Sequence, residues 1–218
     1  MEVDSSLGPA RAHLDVPAAP VGRLLLGHGA GGGIEAPDLL VTRDAAVAAG
    51  WAVARVEQPW RVAGRRVAPR PATLDVAWLE VAAVLLRSGG GLQRAPDVPG
   101  PGPWPGAPLV LGGRSAGARV ACRTSGALAA HGVLCLAFPL RYPGRPQPDR
   151  SGELPADRPV LVVQGERDAF GSPQDVRGAA PTNVRVVAVA GDHSLRSDRA
   201  AVRAAVTAFL AGLADAGG

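Results

Sequence analysis

Lysine is absent from this 218-residue chain, so every basic residue except histidine is an arginine. That excludes a G-x-x-x-x-G-K-[ST] phosphate loop, which sets a lysine on the phosphates. Aromatic residues make up only 4% of the chain, and the arginines are scattered rather than interleaved with aromatics, so a nucleic-acid-binding face is not expected. The net charge of +4 argues for no partner by itself. A coding sequence rich in G and C accounts for Arg without Lys, as for the abundance of Ala, Gly and Pro. No run of about 18 uncharged apolar residues occurs, so a membrane-spanning helix is not expected. Glu2 and Asp4 stand where a secretory leader needs basic residues before an apolar run, which favours a cytoplasmic protein. Only two cysteines are present, Cys122 and Cys135, too few for a disulfide framework or a metal site.

What is present is apolar. With 47% hydrophobic residues, a chain of this length suits one domain over residues 1–218 with a sizeable core. Short apolar runs alternate with longer runs at helical spacing, the pattern of an α/β fold with a mostly parallel sheet and helices on both faces. About six strands are expected: Gly22–Leu26, Trp51–Glu57, Pro108–Leu111, Val133–Phe138, Pro159–Val163 and Val184–Val189. Helices are expected from Pro37 to Gly50, along the face Leu74, Trp78, Val81 and Leu85, and from Ser115 to His131 with Gly132 as terminator. Ser172 before Pro173 reads as a helix cap, and Ser197 as the cap of a last helix whose core face is Val202, Val206, Phe209 and Leu213. Two segments break the pattern. Residues 88–106 are crowded with Gly and Pro and read as a surface insertion, while residues 141–157 read as a loop covering the pocket in place of a helical cap.

The chemistry centres on Gly113-Arg114-Ser115-Ala116-Gly117, a G-x-S-x-G directly after the apolar run Leu109-Val110-Leu111. Small residues let the chain turn sharply from strand to helix and leave the serine exposed above the sheet. A serine hydroxyl is a poor nucleophile near neutral pH, so it needs a base and an acid that orients the base. Asp168 follows the strand ending at Val163, and His193 follows the strand ending at Val189, giving the chain order Ser, Asp, His. Glu166 is the reserve acid; Asp192 is too close to His193 in sequence to orient its ring. An oxyanion would need two backbone N–H donors. One is expected from Ala116. The other belongs to the loop His28-Gly29-Ala30-Gly31-Gly32-Gly33, from Ala30 or Gly31, with Ala30 preferred. His28, Gly29 and Gly31 are read as shaping that loop, and His13 and His131 as structural, His131 through the dipole of a helix ending there. Arg114 could bind an anionic substrate group or pack beside the helix. Trp60, Phe138, Tyr142 and Phe170 could line an acyl pocket or the core.

The order of strand, HGAGGG, GGRSAGAR, QGERDAFG and GDHS resembles the α/β-hydrolase superfamily across most of the chain. More closely it is similar to the small dienelactone-hydrolase-like branch that includes testis-expressed protein thirty and the third subunit of the NSL chromatin complex. There the elbow is likewise preceded by two glycines and an arginine, and a segment like Phe138-Pro139-Leu140 precedes the Pro-rich loop. The resemblance implies a minimal hydrolase fold without a helical cap domain. Dienelactone hydrolases use a cysteine nucleophile where this chain has Ser115, so their reaction does not carry over. The expected activity is hydrolysis of a small-molecule ester or related acyl substrate through an acyl-Ser115 intermediate, with no metal and no organic cofactor. Two other readings compete. Some members of the branch are non-catalytic subunits that bind a protein partner, although nothing in this sequence points to one. Gly27, Gly29 and Gly32 also spell G-x-G-x-x-G after a strand, but Gly33 to Ala36 intervene before a helix can begin, so a pyrophosphate would not rest on its N-terminus.

Overall fold

The computed structural model describes residues 1–87, 107–144 and 149–215. The expected insertion at 88–106 lies outside them. One sheet runs through the molecule, with strands β1 (Glu2–Val3), β2 (Ala10–Asp15), β3 (Gly22–Gly27), β4 (Trp51–Glu57), β5 (Leu109–Arg114), β6 (Gly132–Leu136), β7 (Val160–Gly165) and β8 (Val184–Val189). Their spatial order is β1-β2-β4-β3-β5-β6-β7-β8, eight strands rather than about six. The six expected strands form its parallel part, from β4 across to β8. The two additional strands form an antiparallel edge, in which Ala10 and Ala12 face the core while Arg11 and His13 face out. Alternation carried by alanine is a weak apolar signal, which is why the sequence does not announce this edge.

The helices are α1 (Pro37–Ala48), α2 (Pro59–Val62), α3 (Pro71–Leu86), α4 (Ala116–Thr124), α5 (Pro173–Ala179) and α6 (Arg199–Asp215). On one face of the sheet, Leu74, Trp78, Val81 and Leu85 of α3 pack with α4 and Val176 of α5. On the other, Leu39 and Ala46 of α1 pack with Val202, Val206, Leu210 and Leu213 of α6, while Phe209 is only half-buried. Burial on both faces explains why the central strands are apolar throughout.

Two helix ends differ from expectation. Helix α4 stops at Thr124 rather than His131, because the Thr124 and Ser125 hydroxyls donate to the Val120 and Cys122 carbonyls and offer the backbone an alternative to further helix. His131 therefore sits at no helix end, and its Nδ1 accepts from the Leu109 N–H at 3.1 Å. Helix α6 is capped by Asp198, whose Oδ1 accepts from Ala201 N–H at 2.9 Å, not by Ser197. Ser172 caps α5 as expected, in a reciprocal box with Asp175.

The segment expected as a loop over 141–157 carries one 3-10 turn, Ser151–Glu153, and no cap helix is evident among the described residues. Glu153 ties that turn to helix α4. Its carboxylate accepts from Arg119 Nε at 2.7 Å and from Arg123 Nη1 at 3.0 Å, and Arg123 also forks onto Asp75 of α3. Burial alone would raise the Glu153 pKa, but the bonds and charges of Arg119 and Arg123 outweigh it and hold the carboxyl below its ordinary 4.5. The stabilisation is thus complete above that value and is lost as pH falls through the lower folded-state value. Glu153→Gln is expected to cost roughly 1–2 kcal/mol at neutral pH. In thermal melts against pH, the gap between the two proteins should stay constant down to about 5 and then close in more acidic buffer.

Candidate active site

Strand β5 delivers Ser115, the expected nucleophile. Ser115 has φ 52° and ψ −108°, a conformation that L-residues adopt only under constraint. It is held there by its N–H donating to Leu136 O at 2.9 Å and by the start of α4 immediately after it. The turn requires its glycines: a Cβ on Gly113 would stand 2.6 Å from Gly27 O, and one on Gly117 would collide with the same carbonyl. The strand-to-helix elbow therefore passes directly under the end of β3.

The C-terminal ends of β7 and β8 bring the other two groups to the same edge. His193 Nε2 lies 2.9 Å from Ser115 Oγ, and His193 Nδ1 lies 2.8 Å from Asp168 Oδ2. A carboxylate only accepts, so Nδ1 carries the ring proton and leaves the Nε2 lone pair for the serine hydroxyl. The Asp168 side chain is fully buried, with Oδ2 accepting from Gln164 Nε2 at 2.9 Å and Oδ1 from Phe170 N–H at 2.8 Å. Glu166 is exposed. Asp192 is exposed as well, its Oδ1 taken by the N–H and hydroxyl of Ser194 at 2.9 and 2.5 Å.

The loop after β3 is pinned through His28. Gln58 N–H donates to His28 Nε2 at 3.2 Å, so the ring proton sits on Nδ1 and donates to Gly29 O at 2.9 Å. Burial holds the His28 pKa below its ordinary value, keeping the ring neutral as this arrangement requires. His28 thus bridges the end of β4 to the loop. A Cβ on Gly29 would lie 3.0 Å from the Arg114 guanidinium, whereas the space around Gly31 is open, so close approach constrains Gly29 and not Gly31. Ala30 and Ala116 border one small cavity, together with His28 and Trp60. Of the expected pocket aromatics, Phe138 is buried in the core, while Phe170 stacks on His193 at 4.4 Å and meets the Tyr142 edge at 5.9 Å.

One residue, Gln164, escaped the sequence reading, as did the partners of Arg114. Gln164 is fully buried, and its amide nitrogen reaches Gly171 O at 2.8 Å besides Asp168, fixing the acid from below. Arg114 pairs through Nε with Asp38 at 2.9 Å and donates from Nη2 to His193 O at 3.0 Å. Asp38 is buried at the start of α1, and burial raises its pKa against the opposing pull of Arg114. Arg114 is therefore engaged by the protein and holds the His193 loop over the elbow; it is not turned outward to a substrate anion. No group of three or more His, Cys, Asp or Glu positioned for a metal occurs among the described residues, and no described helix is long and apolar enough to cross a membrane.

A serine at a strained strand-to-helix turn, with a buried acid and a bridging imidazole at the carboxyl edge of a parallel sheet, is a site built for nucleophilic chemistry. Residues 20–209 match the model of the α/β hydrolase domain family, and the chain belongs to that family. Among solved structures it is similar to an α/β serine hydrolase homologue from Coxiella burnetii, at 14% identity, TM-score 0.74 and 96% coverage of both chains. A serine hydrolase without a lid from Xanthomonas campestris is 21% identical, with TM-score 0.70, over 96% of this chain and 93% of that one. A dienelactone hydrolase from Anabaena variabilis is 16% identical, with TM-score 0.70, over 97% and 94%. No curated protein sequence matches the chain.

Proposed function

We propose that the protein is a serine hydrolase acting on a small ester or related acyl substrate through a covalent acyl-Ser115 intermediate. The observation that carries this reading is the continuous relay Ser115 Oγ, His193 Nε2, His193 Nδ1 and Asp168 Oδ2, with steps of 2.9 and 2.8 Å. Ser115 Oγ attacks the carbonyl carbon as its proton passes to His193 Nε2, and the oxyanion is held by the N–H groups of Ala30 and Ala116. The carbon–oxygen bond to the leaving alcohol then breaks, and the alcohol departs with the proton from Nε2. Water attacks the acyl-serine, losing a proton to Nε2; the bond from the acyl carbon to Ser115 Oγ then breaks, Oγ takes the proton back from Nε2, and the acid product leaves. The Asp168 carboxylate holds the ring in this tautomer and stabilises the imidazolium.

The reading uses side chains and backbone alone, so dialysis against a chelator is expected to leave turnover unchanged. Similarity to a lidless hydrolase supports open access for small substrates. We further place the chain in the branch with testis-expressed protein thirty and the third NSL subunit, on Gly112-Gly113-Arg114-Ser115 and Phe138-Pro139-Leu140, and in the cytoplasm, which suits its two free buried thiols. A fluorophosphonate probe tests the activity: wild type should take up one equivalent and Ser115→Ala none. A folded wild-type chain that takes up no probe would leave a binding role, as in the non-catalytic members, as the better account.

A further inference from the structure

Phe170 covers one face of the His193 ring. The two centroids are 4.4 Å apart and the planes differ by 35°. Only face-to-face overlap allows that combination, because a side-by-side pair would hold its centres further apart and an edge-on pair its planes near perpendicular. Backbone bonds set the Phe170 ring in this place: its N–H donates to Asp168 Oδ1 at 2.8 Å, and its carbonyl accepts from Arg141 N–H at 2.8 Å. The second bond lays the loop after β6 beside Phe170, where Tyr142 packs nearly perpendicular to the phenyl ring, at 86° and 5.9 Å. One residue thus holds the acid through its backbone and covers the base with its side chain.

An apolar cover over a base has two opposing effects. It keeps water from the ring, which disfavours the imidazolium that His193 becomes on taking the Ser115 proton. The face of an aromatic ring, however, is the negative part of a quadrupole and attracts a cation within about 6 Å of its centre, which an aliphatic side chain does not. At 4.4 Å the imidazolium lies inside that range, and with the His193 side chain only 20% exposed, little water intervenes to weaken the attraction. We propose that Phe170 is a positioning residue of the reaction, whose π face stabilises the imidazolium form of His193. Asp168 supports the same cation from a different side, through Nδ1 at 2.8 Å. Full positive charge is present only once the proton has moved, so the contact is stronger in the transition state than in the ground state and raises the rate rather than the affinity. The proposal rests on Ser115 as nucleophile and His193 as its base.

Fluorine on a phenyl ring withdraws electron density from its face and leaves its shape nearly unchanged. Mono-, di- and trifluorophenylalanine, placed at position 170 by nonsense suppression, therefore weaken the contact in steps while the cover over His193 remains. The readout is the rate constant for fluorophosphonate labelling, in which Ser115 Oγ attacks phosphorus, fluoride leaves and the serine proton passes to Nε2. The imidazolium develops there whatever the natural substrate. At saturating probe the rate constant is expected to fall along the series, by about three- to thirtyfold in all, with the half-saturating concentration and the thermal melt unchanged. Phe170→Leu should lose about as much, whereas Phe170→Tyr keeps the π face and should stay within about twofold. A flat series in a chain that labels at Ser115 overturns the role of Phe170 and leaves the nucleophile standing; so does a loss confined to Phe170→Leu, because cover alone would then matter. A fall carried by the half-saturating concentration would place the ring in probe binding and overturn the proposal as well. A wild-type chain that takes up no probe removes the nucleophile and the role of Phe170 together.

Discussion

Asp168→Asn is expected to lower kcat about 10⁴-fold, with the chain still folded. Phe170 N–H donates to Asp168 Oδ1 at 2.8 Å, so the amide oxygen of the variant would settle there and turn its NH₂ toward His193 Nδ1. The ring must then accept at Nδ1 and carry its proton on Nε2, where it can no longer take the proton of Ser115. Gln164 Nε2 also faces that position, and two opposed donors are expected to cost about 1–3 kcal/mol of stability, a visible but tolerable loss in a melt. Asp192→Asn is the control. Its carboxylate is exposed and accepts from Ser194, so turnover should stay within about twofold. Steady-state kinetics on any ester that the wild type turns over decides between them; a crippled Asp192→Asn beside an active Asp168→Asn would move the acid to Asp192.

The second large effect belongs to Arg114. Arg114→Met leaves Asp38 buried at the start of α1 with its charge uncompensated, a loss expected to cost about 3–5 kcal/mol. Adding Asp38→Asn to that variant should recover much of the stability, since the buried charge is gone. Activity should not follow it back, because the bond from Nη2 to His193 O is still missing. Arg114→Lys separates the two roles in another way: one ammonium cannot span both partners as the guanidinium does. It is expected to fold and to lose about ten- to a hundredfold in kcat through a displaced His193, with KM little changed. Recovery of both stability and turnover in the double variant would show that Arg114 serves the fold alone.

The parallel part of the sheet was legible because burial on both faces leaves uninterrupted apolar runs, and the bounds of β4 and β8 coincide with those expected. The edge pair β1–β2 was not, since its inward residues are mainly alanine and its outward ones charged. Helix α4 looked longer than it is because the hydroxyls of Thr124 and Ser125, which turn back on the helix, are read from sequence as ordinary helical residues. Ser115, Asp168 and His193 each follow a strand, so a parallel sheet brings them to one edge and their grouping could be anticipated. Arg114 with Asp38 could not be, because their meeting depends on β3 lying beside β5 and on which face α1 covers. Gln164 carried a faint signal, a polar residue ending an otherwise apolar strand four positions before the acid.

The central claim is that Ser115 carries the acyl group between the two halves of the reaction. Rapid acid quench of the enzyme with an excess of an activated nitrophenyl ester, followed by mass spectrometry of its peptides, reads that bond directly. The account predicts a mass increase of one acyl group on the peptide containing Ser115, absent from Ser115→Ala and formed far more slowly in His193→Ala. An acyl group found on another residue, or one that persists in Ser115→Ala at the wild-type level, would contradict it.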